Sequence, residues 1–97
     1  MYTVDNQIKD QEYKGLQVRK IVQSSNIEIL CISLEKGSTF PEHTSPKDAQ
    51  LILLEGEIKF HINNEVYNLT HHQKISFHKE SPHWVAANKD SKFLIIR

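Results

Sequence analysis

The strongest constraint on what this chain can fold into is its punctuation. From residue 16 onward, short β-rich apolar runs are interrupted by turn-forming residues roughly every 8–12 positions. "LQVRKIVQ" (16–23) stops at Ser24–Ser25–Asn26, and "IEILCISLE" (27–35) stops at Lys36–Gly37. "AQLILLE" (49–55) ends at Gly56, and "IKFHI" (58–62) meets Asn63–Asn64, a pair that tolerates positive φ and suits a tight hairpin. "EVYNL" (65–69), "KISFH" (74–78), "HWVAA" (83–87) and "KFLIIR" (92–97) follow. No window carries a sustained 3.6-residue apolar stripe with caps, so no substantial helix is expected.

Two of these runs, Ile29 to Leu34 and Leu51 to Leu54, are apolar at nearly every position. In a small antiparallel protein this implies cover on both faces: the barrel interior on one side, and a second sheet or another subunit on the other. Lys59 and His61 alternate instead with Ile58, Phe60 and Ile62, so that strand has one solvent face. About eight short strands in 97 residues fit a single-domain all-β jelly roll or another β-sandwich. Residues 1–14 are polar with scattered Tyr2, Val4, Ile8 and Tyr13, and read as an arm, an edge strand or a frayed end; residues 15–97 read as the barrel.

Charge and composition narrow the function. Lys plus Arg and Asp plus Glu are both 12, giving a formal net charge of +0. Such a chain has no field to attract nucleic acid or an anionic membrane. No apolar run approaches the ~20 residues of a spanning helix, and "MYTVDNQIKD" lacks a basic-then-apolar signal pattern, so a cytoplasmic domain is expected. Cys31, the one cysteine, sits within "IEILCISL" and reads as a buried small hydrophobe.

The stretch from Gly37 to Gly56, and again from Gln73 to Asn88, resembles the two motifs of the cupin superfamily, small jelly-roll barrels. Gly37 is followed by five residues and then His43, as the first motif asks, and "LLEGE" closes it at Gly56. "KISFHKESPHWVAAN" resembles the second, with Pro82–His83 in the usual place. The resemblance implies a cupin jelly-roll barrel (double-stranded β-helix) and, as in many small stand-alone cupins, a homodimer.

It also implies a metal site, and there the sequence departs from the pattern. Metal-binding cupins use two His and a Glu from the first motif and one His from the second. His43 and His83 match the first and last of these, but Ser45 holds the second position. Counting back from Gly56 puts Ala49 at the carboxylate position, and counting forward from Ser45 puts Gln50 there. Two neutral imidazoles without charge compensation hold a divalent ion (Zn, Ni, Fe or Mn) weakly, if at all. His43, Ser45, Gln50 and His83 are therefore the expected ligand-binding residues, with His43 and His83 the two metal-ligand candidates.

His78 stands near the second motif's turn; His61 and the pair His71–His72 read as surface residues. Trp84 points away from His83 by strand alternation, Phe40 is placed to cover the pocket or pack in the core, and Glu42 and Asp48 read as solvated loop charges. No nucleophile–base pair, phosphate-cradling loop or basic aromatic stripe is present. Three functions follow: a barrel that binds a small polar or anionic organic ligand without a tight metal, a metal-dependent dioxygenase or isomerase with its ion on His43 and His83, or an interaction module with a vestigial pocket.

Overall fold

The computed structural model describes residues 1–97. Nine strands follow a single helical turn, α1 (Gln7–Asp10): β1 (Leu16–Gln23), β2 (Glu28–Leu34), β3 (Thr39–His43), β4 (Ala49–Glu55), β5 (Glu57–Ile62), β6 (Glu65–Thr70), β7 (Lys74–Phe77), β8 (His83–Ala87) and β9 (Ser91–Ile96). Eight of these coincide with the apolar runs of the sequence; β3, which contains Pro41 and is polar at most positions, does not. The strands form two antiparallel sheets, ordered β1-β2-β9-β4-β7 and β3-β8-β5-β6. This is the jelly-roll architecture expected from the sequence.

Alternation sorts each strand into an inner and an outer set. Ile32 and Leu34 of β2, Leu51 and Leu53 of β4, and Phe93 and Ile95 of β9 face Ile58, Phe60 and Ile62 of β5 and Val85 of β8 across the sandwich. The Asn63–Asn64 turn joins β5 to β6 with φ of 52° and 62°, the twist a two-residue hairpin needs.

The outer face of β2 departs from expectation. At Cys31 and Ser33, both fully buried, the cover is neither a second sheet nor another subunit but the chain's own N-terminal arm. The buried Gln11 amide nitrogen lies 3.0 Å from the Cys31 carbonyl and 3.1 Å from Ser33 Oγ, and that hydroxyl donates to the Glu12 carbonyl at 2.7 Å. From β9, the buried Lys92 ammonium donates to the Ile8 carbonyl at 2.7 Å and sits 5.0 Å from the centre of the Tyr13 ring. The arm is thus fastened by polar groups that would be costly to bury without partners.

Gly56 ends β4 with φ of 96°, and a Cβ there would collide with the Ser91 side chain and the Asp90 carbonyl. Substitution combines left-handed strain with a clash against backbone. Gly56→Ala should lower stability by about 2–4 kcal/mol, read as a reduced urea midpoint with an unchanged slope.

Candidate functional site

His43 reaches the interior only because β3 breaks its own alternation. Phe40 pairs with Val85 and His43 pairs with His83, so two residues of β3, Pro41 and Glu42, oppose the single residue Trp84. Proline cannot donate to the ladder, and one extra residue at this point is a β-bulge. The bulge restores the inward phase three residues after Phe40. Phe40 and His43 therefore share a face and stack, with ring centroids 4.0 Å apart and planes inclined by 17°.

His43 and His83 are cross-strand neighbours whose rings meet edge to face at 4.3 Å. Each is oriented in the same way. His43 Nδ1 lies 2.7 Å from the Pro41 carbonyl, and His83 Nδ1 lies 2.8 Å from the Ser81 carbonyl, in both cases two residues back. A carbonyl only accepts, so each Nδ1 carries a proton, and in the neutral form of each ring Nε2 is the acceptor. No protein group satisfies Nε2 of His83. The one fully enclosed side-chain nitrogen or oxygen without a partner is Gln11 Oε1, so this Nε2 keeps contact with solvent although the residue is 3 % exposed.

Phe77 and Phe60 flank the His83 ring at 4.7 and 5.5 Å. Burial pushes the imidazole below its ordinary pKa; the Ser81 hydrogen bond opposes this, while His43 and the Arg97 guanidinium add to it. His83 is thereby held as a neutral hydrogen-bond acceptor.

Arg97 is a participant that the motifs did not indicate. Its phase follows Phe93 and Ile95, so alternation alone would have placed it inward. Its Nε and Nη2 both lie 2.9 Å from Glu28 Oε1, and the backbones of the two residues pair reciprocally. Arg97, and secondarily Lys20, holds the Glu28 carboxyl below the usual carboxylate range.

The other expected residues are placed differently. Ser45 is buried at the same end of the barrel, but its hydroxyl donates to the Lys47 carbonyl at 2.6 Å and lies 3.4 Å from Arg97 Nη1. That engagement closes a local turn and leaves Ser45 a loop-fixing residue. Gln50 does not join the histidines: it lies on the outer face of β4, exposed, and accepts a hydrogen bond from Lys74 at 2.8 Å. Ala49 takes the inward position, so no carboxylate or carboxamide enters the barrel from β4. His78 is exposed beside Asp48 at 3.9 Å, and His61 stacks on Trp84 outside the barrel.

These donors do not fit a resident divalent metal. No three His, Cys, Asp or Glu side chains come together as a metal-holding group, and the hydroxyl at the second ligand position is already engaged. Nor do the histidines line a deep chamber. They are in ring contact, closed in by Phe40, Phe60 and Phe77, and none of the five principal cavities includes either of them. The arrangement is a shallow acceptor pair at the barrel mouth.

No known family model and no curated protein matches the sequence. Solved structures do resemble the fold. A conserved protein of unknown function from Streptococcus pyogenes is 29% identical, with 88% of this chain and 75% of that one covered and a TM-score of 0.78. An RmlC-like cupin from Desulfovibrio desulfuricans is 20% identical over 99% of this chain and 95% of its own, with a TM-score of 0.86. An RmlC-like cupin family protein from Methanocaldococcus jannaschii, described as a double-stranded β-helix, is 21% identical over 100% and 91%, with a TM-score of 0.82. The fold is therefore that of a small, RmlC-like cupin domain. No helix is long and apolar enough to cross a membrane.

The His83 environment has a consequence for stability. The unfolded imidazole takes up its proton near pH 6.5, whereas the native one resists protonation. The unfolded state then binds more protons, and stability is lost as pH falls below about 6.5. Glu28, depressed in the native state, adds a loss that begins only in the acid range of carboxylates. Urea midpoints measured from pH 7.5 to 5.5 should fall for the native sequence and fall less steeply for His83→Asn.

Proposed function

We propose that this cupin binds a small polar organic ligand at the barrel mouth, held by His43 and His83 and without a tight metal. The observation that carries this reading is the pair of imidazoles whose Nδ1 atoms are both spent on backbone carbonyls. What remains is two lone pairs, which favour a hydroxyl or N–H donor over the anion that the sequence left open. Arg97 is committed to Glu28 and supplies no free anion-binding fork. Pre-oriented acceptors need little reorganisation on binding, and the aromatic surround limits the water that competes for them. As a homodimer, the protein would pair through β1, an edge strand that leaves Val18 and Val22 exposed.

One observation favours a second reading, an interaction module with a vestigial pocket: the interior around the histidines is filled by Phe40, Phe60 and Phe77. A metal-dependent enzyme finds less support, since it would need a third donor that neither Ser45 nor Gln50 provides.

The deciding experiment is a screen of hydroxyl- and amine-bearing small molecules against protein with 15N-labelled histidine, alongside metal analysis of untagged protein. A ligand that shifts the Nε2 resonances of His43 and His83, and is lost in His83→Ala, is the expected result, with metal well below one equivalent. Stoichiometric metal that disappears in both His43→Ala and His83→Ala would overturn the metal-free reading. No shift from any compound would favour the interaction module.

A further inference from the structure

The outer face of the four-stranded sheet carries a second group of chemically suggestive residues, separate from the barrel mouth. The registers place the β3 bulge, Trp84 and His61 side by side on β3, β8 and β5. Trp84 and His61 stack face to face, with ring centroids 3.6 Å apart and planes inclined by 7°. At the hairpin end of this pair lies a cleft of about 400 Å³, bounded by Glu42 from the bulge and by Asn63, Asn64 and Glu65 from the turn.

Three features of this cleft point the same way. It contains two carboxylates and no lysine or arginine, in a protein whose overall charge is balanced. Neither Glu42 nor Glu65 has a basic partner within 4.0 Å, although five other acid–base pairs form elsewhere on the molecule. His61 covers one face of the indole, and Trp84 and Glu42, from the neighbouring strands β8 and β3, both line the cleft. A cation beside an indole face is attracted by the ring quadrupole, and carboxylates accept from guanidinium and ammonium groups with charge-assisted hydrogen bonds.

Glu42, His61 and Glu65 all line the cleft, yet they do not converge closely enough to hold a metal ion. Donors spread around an aromatic wall match a larger, flatter cation than a bare metal. We propose that this cleft is a binding site for a small organic cation, whose guanidinium or ammonium group lies against the free face of Trp84 between Glu42 and Glu65. The Asn63 and Asn64 carboxamides, held at the turn, are placed to take the uncharged remainder of the ligand.

The site can be tested in isolation because Trp84 is the only tryptophan in the chain. Its fluorescence and its indole N–H resonance both report on this cleft, and repeating the titration in His83→Asn separates the cleft from the neighbouring histidine pair: a retained shift belongs to the cleft, and a lost one would overturn the proposal. The probe is methylguanidinium at fixed pH and ionic strength, with uncharged methylurea as its isosteric control. Methylguanidinium should shift the indole resonance saturably and methylurea should not. Glu42→Gln combined with Glu65→Gln should weaken binding by about tenfold or more, as expected from loss of two charge-assisted contacts. Glu65→Gln alone, in the exposed hairpin, serves if the double variant folds poorly. An acetylated, amidated arginine peptide separates the sources: tighter binding than methylguanidinium would assign the cation to a partner protein's side chain, and equal binding to a free small molecule. Equal shifts from methylurea, or affinity unchanged by the glutamine substitutions, would overturn the proposal.

Discussion

Strand alternation is the constraint on which the rest of this structure depends. Each residue of a strand is assigned a face by its neighbours, and a shift of one position would turn the core outward. The inner sets of β2, β4, β5, β8 and β9 obey this without exception at their buried centres. The interruption at Pro41–Glu42 therefore matters: it is where the rule is suspended so that Phe40 and His43 can both look inward. If β3 kept regular alternation from Phe40 onward, Glu42 would take the inward position and His43 the outer face, and the barrel mouth would hold one imidazole.

The chemical character of the mouth follows from how the two imidazoles are anchored. The same device appears twice, a ring nitrogen tied to the carbonyl two residues earlier, once across Pro41–Glu42–His43 and once across Ser81–Pro82–His83. The metal-binding motif that the sequence resembles needs several inward donors; here one position is taken up by a loop-fixing serine and another by alanine. What is left is geometry suited to accepting hydrogen bonds in a low-dielectric setting, where such bonds are stronger but unpaired groups are costly.

Most of the fold was legible because alternation and turn residues are local signals. "AQLILLE", "HWVAA" and the Asn63–Asn64 turn could be placed from the sequence because each carries its own pattern. β3 was not legible: its proline and charged residue conceal a strand whose pairing is supplied by β8. The site was half legible. The motif spacing brought His43 to His83, whereas Arg97 was missed, although its alternation with Phe93 and Ile95 was the signal that could have found it. The Ala49-or-Gln50 question needed the register of β4 against β7 and β9. The role of Ser45 depends on a contact with Lys47 that no spacing encodes, and the cover over Cys31 depends on a buried glutamine amide in a segment whose sequence looks like a solvated tail.

The position of β9 bears on how such a chain is made. It is the last of the nine strands, yet it lies in the middle of its sheet, between β2 and β4, and its Lys92 fastens a segment 84 residues earlier. β2 and β4 can pair with β1 and β7, but each lacks its second neighbour until β9 leaves the ribosome, and the arm, held to β2 through Gln11 and Ser33, lacks its Lys92 contact until then. A partly synthesised chain therefore leaves apolar strand edges unpaired until its last strand is made, the non-local pairing that slows folding and exposes a chain to aggregation.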